Sequence, residues 1–123
     1  MTRAADIEVA NTILYCDRWR ACVEFYGAGL GLGECFRSDW FVEFELTKTA
    51  RLSIADASRA SVGSSGGRGL TITLRVADIC AARAELVARG LSPGEIRAHP
   101  WNAELFHVFD PDGNRVEFWA AFD

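Results

Sequence analysis

From Ile7 to Tyr15 the chain is rich in β-branched and apolar residues, which predicts a strand. Asp17 then stands as the cap of a helix whose apolar residues include Trp19, Cys22, Val23 and Tyr26. Gly27, Gly29, Gly31 and Gly33 end that helix and leave a flexible connection. Between Trp40 and Leu46 the pattern alternates. Val42, Phe44 and Leu46 share one face and Glu43 and Glu45 the other, as in a strand with one buried side. Leu52 to Ala55 predicts the next strand. Residues 58–69 are small and glycine-rich, a linker with too little apolar surface to order itself. Leu70 to Val76 resumes a β pattern. Asp78 caps a second helix with Ile79, Ala82, Leu86 and Val87 on its apolar side, and Gly90 closes it. A final hairpin runs through Glu104–Phe109 and Arg115–Trp119 around the turn Asp110-Pro111-Asp112-Gly113-Asn114.

These elements repeat. At an offset of 61 residues Asp17 falls on Asp78, Glu24 on Glu85, Gly29 on Gly90, Leu30 on Leu91, Trp40 on Trp101 and Glu43 on Glu104. The last strands align at an offset of 64, so a small gap intervenes. Each half reads β-α-β-β-β. A lone unit of that size buries too little apolar surface to stand alone, whereas two facing units bury enough. The expected fold is therefore α+β. It is a single domain over 1–123, with module one at 7–57, a linker at 58–69 and module two at 70–123, two tandem βαβββ modules curving as mixed sheets around a cleft.

Composition narrows the function classes. A chain of 123 residues and 13.5 kDa has room for one ordinary domain. A net charge of −4 argues against a nucleic-acid footprint, and no apolar run is long enough to span a bilayer. The mild acidic excess favours solubility and a cationic ligand. No basic segment followed by an apolar one opens the sequence, so no signal peptide is expected. Cys16, Cys22, Cys35 and Cys80 form no CxxC pair, which suits reduced thiols in the cytoplasm.

The segments Leu14-Tyr-Cys-Asp17, Phe25-Tyr26 and Gly29-Leu-Gly-Leu32, with the closing Phe109-Asp-Pro-Asp-Gly-Asn-Arg-Val-Glu-Phe-Trp119, resemble the vicinal oxygen chelate superfamily. That group holds glyoxalases, extradiol dioxygenases, fosfomycin-modifying enzymes and bleomycin-resistance proteins. The resemblance covers nearly the whole chain. It implies two curled sheets forming a cleft, completed in chains of this length by a homodimer.

The resemblance also implies where a divalent metal would be held, on the first and last strands of each module. Counting seven residues back from the helix-capping aspartates lands on Ala10, beside Asn11, and on Thr71. The last strands supply Ser53 and Glu117. One carboxylate among neutral groups is a poor cage for a tightly held metal. No cofactor is therefore expected, and a divalent metal is the minority alternative.

The remaining signal is aromatic. Trp40, Trp101 and Trp119 fall in or beside strands, and Trp40 and Trp101 occupy matched places in the two modules, so they could frame one cavity. Large aromatics are mostly core residues, and that reading stands beside the first. Glu117 alternates against Val116 and Phe118 and points into the cleft if those two pack on the helices. Glu43 and Glu104 are further carboxylates for the cleft or for a solvated face. His107, with Leu105 and Phe109 on its face, reads as a packed core group or as a ligand contact. His99 precedes Pro100 and Trp101 in an extended loop and is placed to close the cleft as a polar clamp or acid–base group. No catalytic residues are assigned, because no Ser-His-Asp order, P-loop or dinucleotide fingerprint is present.

The expected function is non-catalytic binding or sequestration of a small aromatic or cationic molecule, an antibiotic among them. It would use Trp40, Glu43, His99, Trp101, His107, Glu117 and Trp119 in an aromatic-lined cleft at a dimer interface. The alternative is a glyoxalase- or dioxygenase-like lyase, or another enzyme of the same superfamily. A relocated metal on His99, His107 and Glu117 would serve that alternative.

Overall fold

The alternating stretches become strands because each has one apolar and one polar side, and the two helices cover the apolar sides. A computed structural model describes residues 5–122. In module one, β1 (Ala10–Cys16) leads through α1 (Trp19–Glu24) to β2 (Gly33–Arg37), β3 (Phe41–Thr47) and β4 (Ala50–Asp56). In module two, β5 (Thr71–Arg75) leads through α2 (Ile79–Ala88) to β6 (Arg97–His99), β7 (Ala103–Phe109) and β8 (Arg115–Ala121). The sheet orders are β1-β4-β3-β2 and β5-β8-β7-β6, so the topology repeats strand for strand. In each, the first and last strands pair in parallel and the rest are antiparallel. The fold is the expected α+β pair of tandem modules, with two curved, unclosed mixed sheets.

One core joins the modules. Leu14, Val42, Phe44, Leu52 and Ile54 from the first sheet meet Phe106, Val108, Val116 and Phe118 from the second through the helix residues Cys22, Val23, Tyr26, Ile79 and Leu86. Phe106 and Phe118 stack with ring centroids 5.2 Å apart. The opposite face of each sheet is left open, and that is where polar and aromatic side chains gather.

The Asp110–Asn114 turn fastens the two halves together. Asp110 is buried and its carboxylate accepts from the Tyr26 hydroxyl at 2.8 Å, from Asn114 Nδ2 at 2.8 Å and from the N–H groups of Asp112 and Asn114, both at 2.9 Å. Burial, then the charge of Asp110, pushes the Tyr26 phenol up, so it stays protonated and donates. Asp112 accepts from the N–H groups of Asp17 and Arg18 at 2.9 and 2.8 Å and from the Ser64 hydroxyl at 2.5 Å.

Several expectations change. Asp17 makes no capping bond, and the carboxylate at the start of α1 comes from Asp112 of the other module. Gly27 and Gly29 do not end the first helix. It continues as a wider π-turn over Phe25–Gly29, in which the Leu30 N–H reaches the Phe25 carbonyl at 2.8 Å. Gly33 opens β2 instead of belonging to a flexible connection. The first strand starts at Ala10, and Ile7 and Val9 lie exposed before it. Val87 is exposed, about 80° around the helix from the buried Ile79. The linker gains order from polar and backbone contacts. Ser64 bonds Asp112, and Gly67, at φ +84°, packs where a Cβ would collide with the Gly113 carbonyl. The second helix is as expected, with Asp78 accepting from the Ala81 N–H at 3.0 Å. Gly90, at φ +88°, closes it, with its N–H on Val87 and the Leu91 N–H on Leu86.

Candidate functional site

The open face of module two is set by the phase of three strands. Val116 and Phe118 point to the helices, so Glu117 and Trp119 point away from them. The register places Thr73 and His107 beside Glu117, and Arg75 and Leu105 beside Trp119. Glu117 accepts from the Thr73 hydroxyl at 3.1 Å and from His107 Nε2 at 3.0 Å. A carboxylate only accepts, so the proton of this hydrogen bond lies on Nε2. His107 is thus no core residue. Leu105 and Phe109 do share its face, but that face is the open one.

A slot of about 410 Å³ opens on this face, lined by Trp101, Trp119, Thr73, Ala103, Leu105, His99 and Glu117. Trp101 is 81% exposed, unusual for the largest apolar side chain. Its ring stacks on His99 at 6.3 Å, and its backbone N–H donates to His99 Nδ1 at 3.3 Å. Asn102, at φ +61°, turns the chain here before β7 begins. The Arg75 guanidinium lies 5.0 Å from the Trp119 ring. Hollows of about 530 and 590 Å³ exist elsewhere, one around Arg18, Asp39 and Arg59 and one around Arg75 and Ala121. Neither brings two aromatic walls together, and convergent walls matter more than volume for binding a flat molecule.

The structure thus brings His99, Trp101, Glu117 and Trp119 to one slot, with His107 behind Glu117. Trp40 and Glu43 lie on module one. Trp40 precedes β3 with its ring 5.6 Å from Phe41 and is not among the slot walls. Glu43 pairs with Arg51 at 3.4 Å. Glu104 falls in phase with Phe106, on the helix side of its strand and away from the open face. Arg75 borders the slot over Trp119, and the slot residues that sequence reasoning missed are Thr73, Leu105 and Ala103. Counting in twos from the register partners of Glu117 finds all three.

The family's metal positions can be tested on this register. Ala10 faces the helix side, so the residue that meets Ser53 is Asn11, whose Oδ1 accepts from Ser53 Oγ at 2.8 Å. In module two Thr73 meets Glu117, while Thr71 takes the Arg115 guanidinium at 2.8 and 3.0 Å. The set is then an amide, two hydroxyls and one carboxylate, each already engaged in a hydrogen bond. Such a set does not fit a tightly held divalent cation. Elsewhere, Cys16, Cys22 and Asp110 lie close together in the core. Asp110 there is fully bonded, and the hydrogen bond with Cys22, then burial, pushes the Cys16 thiol up, away from the thiolate that a metal needs. No helix among the described residues is long and apolar enough to cross a membrane.

Known proteins share this fold. A glyoxalase/bleomycin resistance protein/dioxygenase from Nocardioides superposes with a TM-score of 0.79 at 24% identity, over 100% of this chain and 87% of that one. A lactoylglutathione lyase from Agrobacterium tumefaciens gives 0.75 at 18% identity, over 98% and 96%. TnmS3, an antibiotic binding protein from Streptomyces sp. CB03234, gives 0.75 at 20% identity, over 98% and 99%. No match is found among curated protein sequences. Residues 8–118 match the sequence family itself, and the chain belongs to the Glyoxalase/Bleomycin resistance protein/Dioxygenase superfamily.

Proposed function

We propose that this chain is a non-catalytic binding protein that sequesters a flat aromatic small molecule, antibiotics included, between Trp101 and Trp119. A second copy of the chain would cover the open sheet faces. The observation that carries the reading is the slot itself: about 410 Å³, with two indoles in its lining and one of them 81% exposed. Sequestration needs stacking surface and no activated group. The fold likeness to an antibiotic binding protein supports it. The dimer is supported by Ile13, Phe36 and Phe109, large apolar side chains exposed on the open faces. Free thiols at Cys35 and Cys80 suit a reducing cytoplasm.

Calorimetric titration with 2-naphthol tests the slot. One probe binds per chain and is recovered unchanged, and Trp101→Ala weakens binding by roughly 1–3 kcal/mol. The exposed ring contributes little to folding, so the melting temperature of the variant stays near that of the parent. Unchanged affinity would remove the stacking role. Light scattering at micromolar concentration gives the mass of a pair, and 13.5 kDa alone would remove the dimer.

A second reading is an enzyme of the same superfamily. The imidazole of His107, oriented by the Glu117 carboxylate at 3.0 Å, favours it as a proton-transfer group. The likeness to a lactoylglutathione lyase supports it as well. Stoichiometric metal in protein purified without chelator or nickel resin, lost in Glu117→Ala, would favour this reading over binding.

A further inference from the structure

The charges on the two open faces are opposite in balance. On module one, Glu43 and Glu45 flank Arg51 at 3.4 and 4.0 Å, so the arginine is neutralised with a carboxylate to spare. On module two, Arg75, Arg97 and Arg115 share the face with Glu117, the one carboxylate on that side of the strands among the described residues, and Glu95 lies exposed just ahead of β6, two residues before Arg97. None of these three arginines has a carboxylate within 4.0 Å among the described residues. Two of them bracket the slot. Arg75 lies over Trp119, and Arg97 sits in register with Leu105 of the slot lining. The acidic excess of the whole chain therefore does not extend to this face.

The free polar groups at the slot point the same way. Glu117 has both oxygens engaged by Thr73 and His107. His99 Nδ1 accepts from the Trp101 backbone N–H, so the neutral ring carries its proton on Nε2 and offers a donor. The indole N–H groups of Trp101 and Trp119 have no acceptor among the described residues, whereas that of Trp19 is taken by the Ile54 carbonyl at 2.9 Å. What remains unpaired around the slot is a set of donors and cations, which calls for a ligand that supplies acceptors and negative charge.

We propose that the slot selects aromatic anions, an arene carboxylate being the simplest, with the ring between Trp101 and Trp119 and the carboxylate toward Arg75 and Arg97. This inference rests on the binding reading above and specifies its ligand class. An aromatic ring supplies the stacking, and the charge decides among rings of equal size.

Three probes with one ring system test it by calorimetry at low salt: 2-naphthoate, 2-naphthalenemethanol and 2-naphthylmethylammonium. The expected result is that naphthoate binds about tenfold or more tighter than the ammonium, with the alcohol between them. Salt weakens only the naphthoate preference. Arg75→Gln and Arg97→Gln, both on exposed side chains, each reduce that preference, and Arg59→Gln, outside the slot, retains it. Equal binding of all three probes overturns the charge selection and leaves the aromatic slot standing. It is also the outcome if the arginines serve only contacts between copies. Tighter binding of the ammonium overturns the inference in favour of Glu117 as the governing charge. Binding of none of the three overturns the slot and this inference together.

Discussion

The open faces of the two modules share a topology strand for strand and differ in what they hold. On module one the polar groups satisfy one another: Ser53 bonds Asn11, and Arg51 lies between Glu43 and Glu45. On module two the equivalent centre is Glu117 with Thr73 and His107, bordered by two indoles and by arginines without carboxylate partners. Duplication explains the shared backbone, and register explains the difference. The same pleat delivers Ser53 in one copy and Glu117 in the other to the middle of the last strand. The first face is internally neutralised, whereas the second has unspent donors, and a ligand site needs the latter.

The helix-side faces show the opposite relation, merging into one core locked by Asp110. The largest predicted effect tests that joint. Asp110→Ala removes the acceptor for four donors, including the Tyr26 hydroxyl from module one. Buried donors left without acceptors are costly, so the variant loses roughly 3–5 kcal/mol in chemical denaturation. Tyr26→Phe, which removes one donor and leaves the carboxylate three, loses less. A loss below about 1 kcal/mol for Asp110→Ala would mean that the modules hold together without this joint.

Much of this was legible in the sequence. The 61-residue offset exposed the repeat because helix caps recur at fixed places, and strand phase put Glu117 on the open face. The joint was less legible. Asp110 and Asp112 read as turn residues, and Asp17 as a cap, because local patterns carry no information about partners some 95 residues away. β6 escaped notice because three residues are too few for a period to show. The apolar neighbours Leu105 and Phe109 leave His107 readable as a core group or as a ligand contact. Those neighbours lie on an open face, and alternation reports which residues share a side without saying which side is buried.

A smaller effect lies at Asp112, and it depends on pH. Burial works against its charge. The Ser64 hydroxyl, the N–H groups of Arg18 and Asp17 and the nearby Arg18 cation outweigh that, holding the carboxyl below the usual carboxylate range. A carboxyl lowered by folding lends stability that is complete above its unfolded value, near pH ~4, and is lost as pH falls through the folded value. The protein therefore loses stability on acidification below that range, and Asp112→Asn flattens this limb while costing about 1–2 kcal/mol at neutral pH. On module one, hydrogen bonds from Arg37 and Arg59 lower Glu34 and Asp39 in the same direction. Those pairs are exposed, so their share of the acid limb shrinks in salt, whereas that of Asp112 persists. An acid limb unchanged in Asp112→Asn would assign it to other carboxylates.

The smallest effect sharpens the contrast between the two faces. Glu43 and Arg51 are partly exposed, with side chains 28% and 19% accessible, and Glu45 stands ready at 4.0 Å when Glu43 is removed. Glu43→Gln should therefore lower stability by less than about 1 kcal/mol, and 1 M salt should erase the difference. Glu117→Gln on the other face keeps the shape and removes the charge that His107 and Thr73 address, with no second carboxylate on that side of the strands among the described residues. Its cost should exceed that of Glu43→Gln and survive salt, because an oriented hydrogen bond to a carboxylate is screened less than a loose surface pair. If thermal unfolding in low and high salt instead ranks Glu43→Gln as the more damaging, the charges of module one are the organised ones. The division between a self-satisfied face and a ligand-ready face would then be reversed.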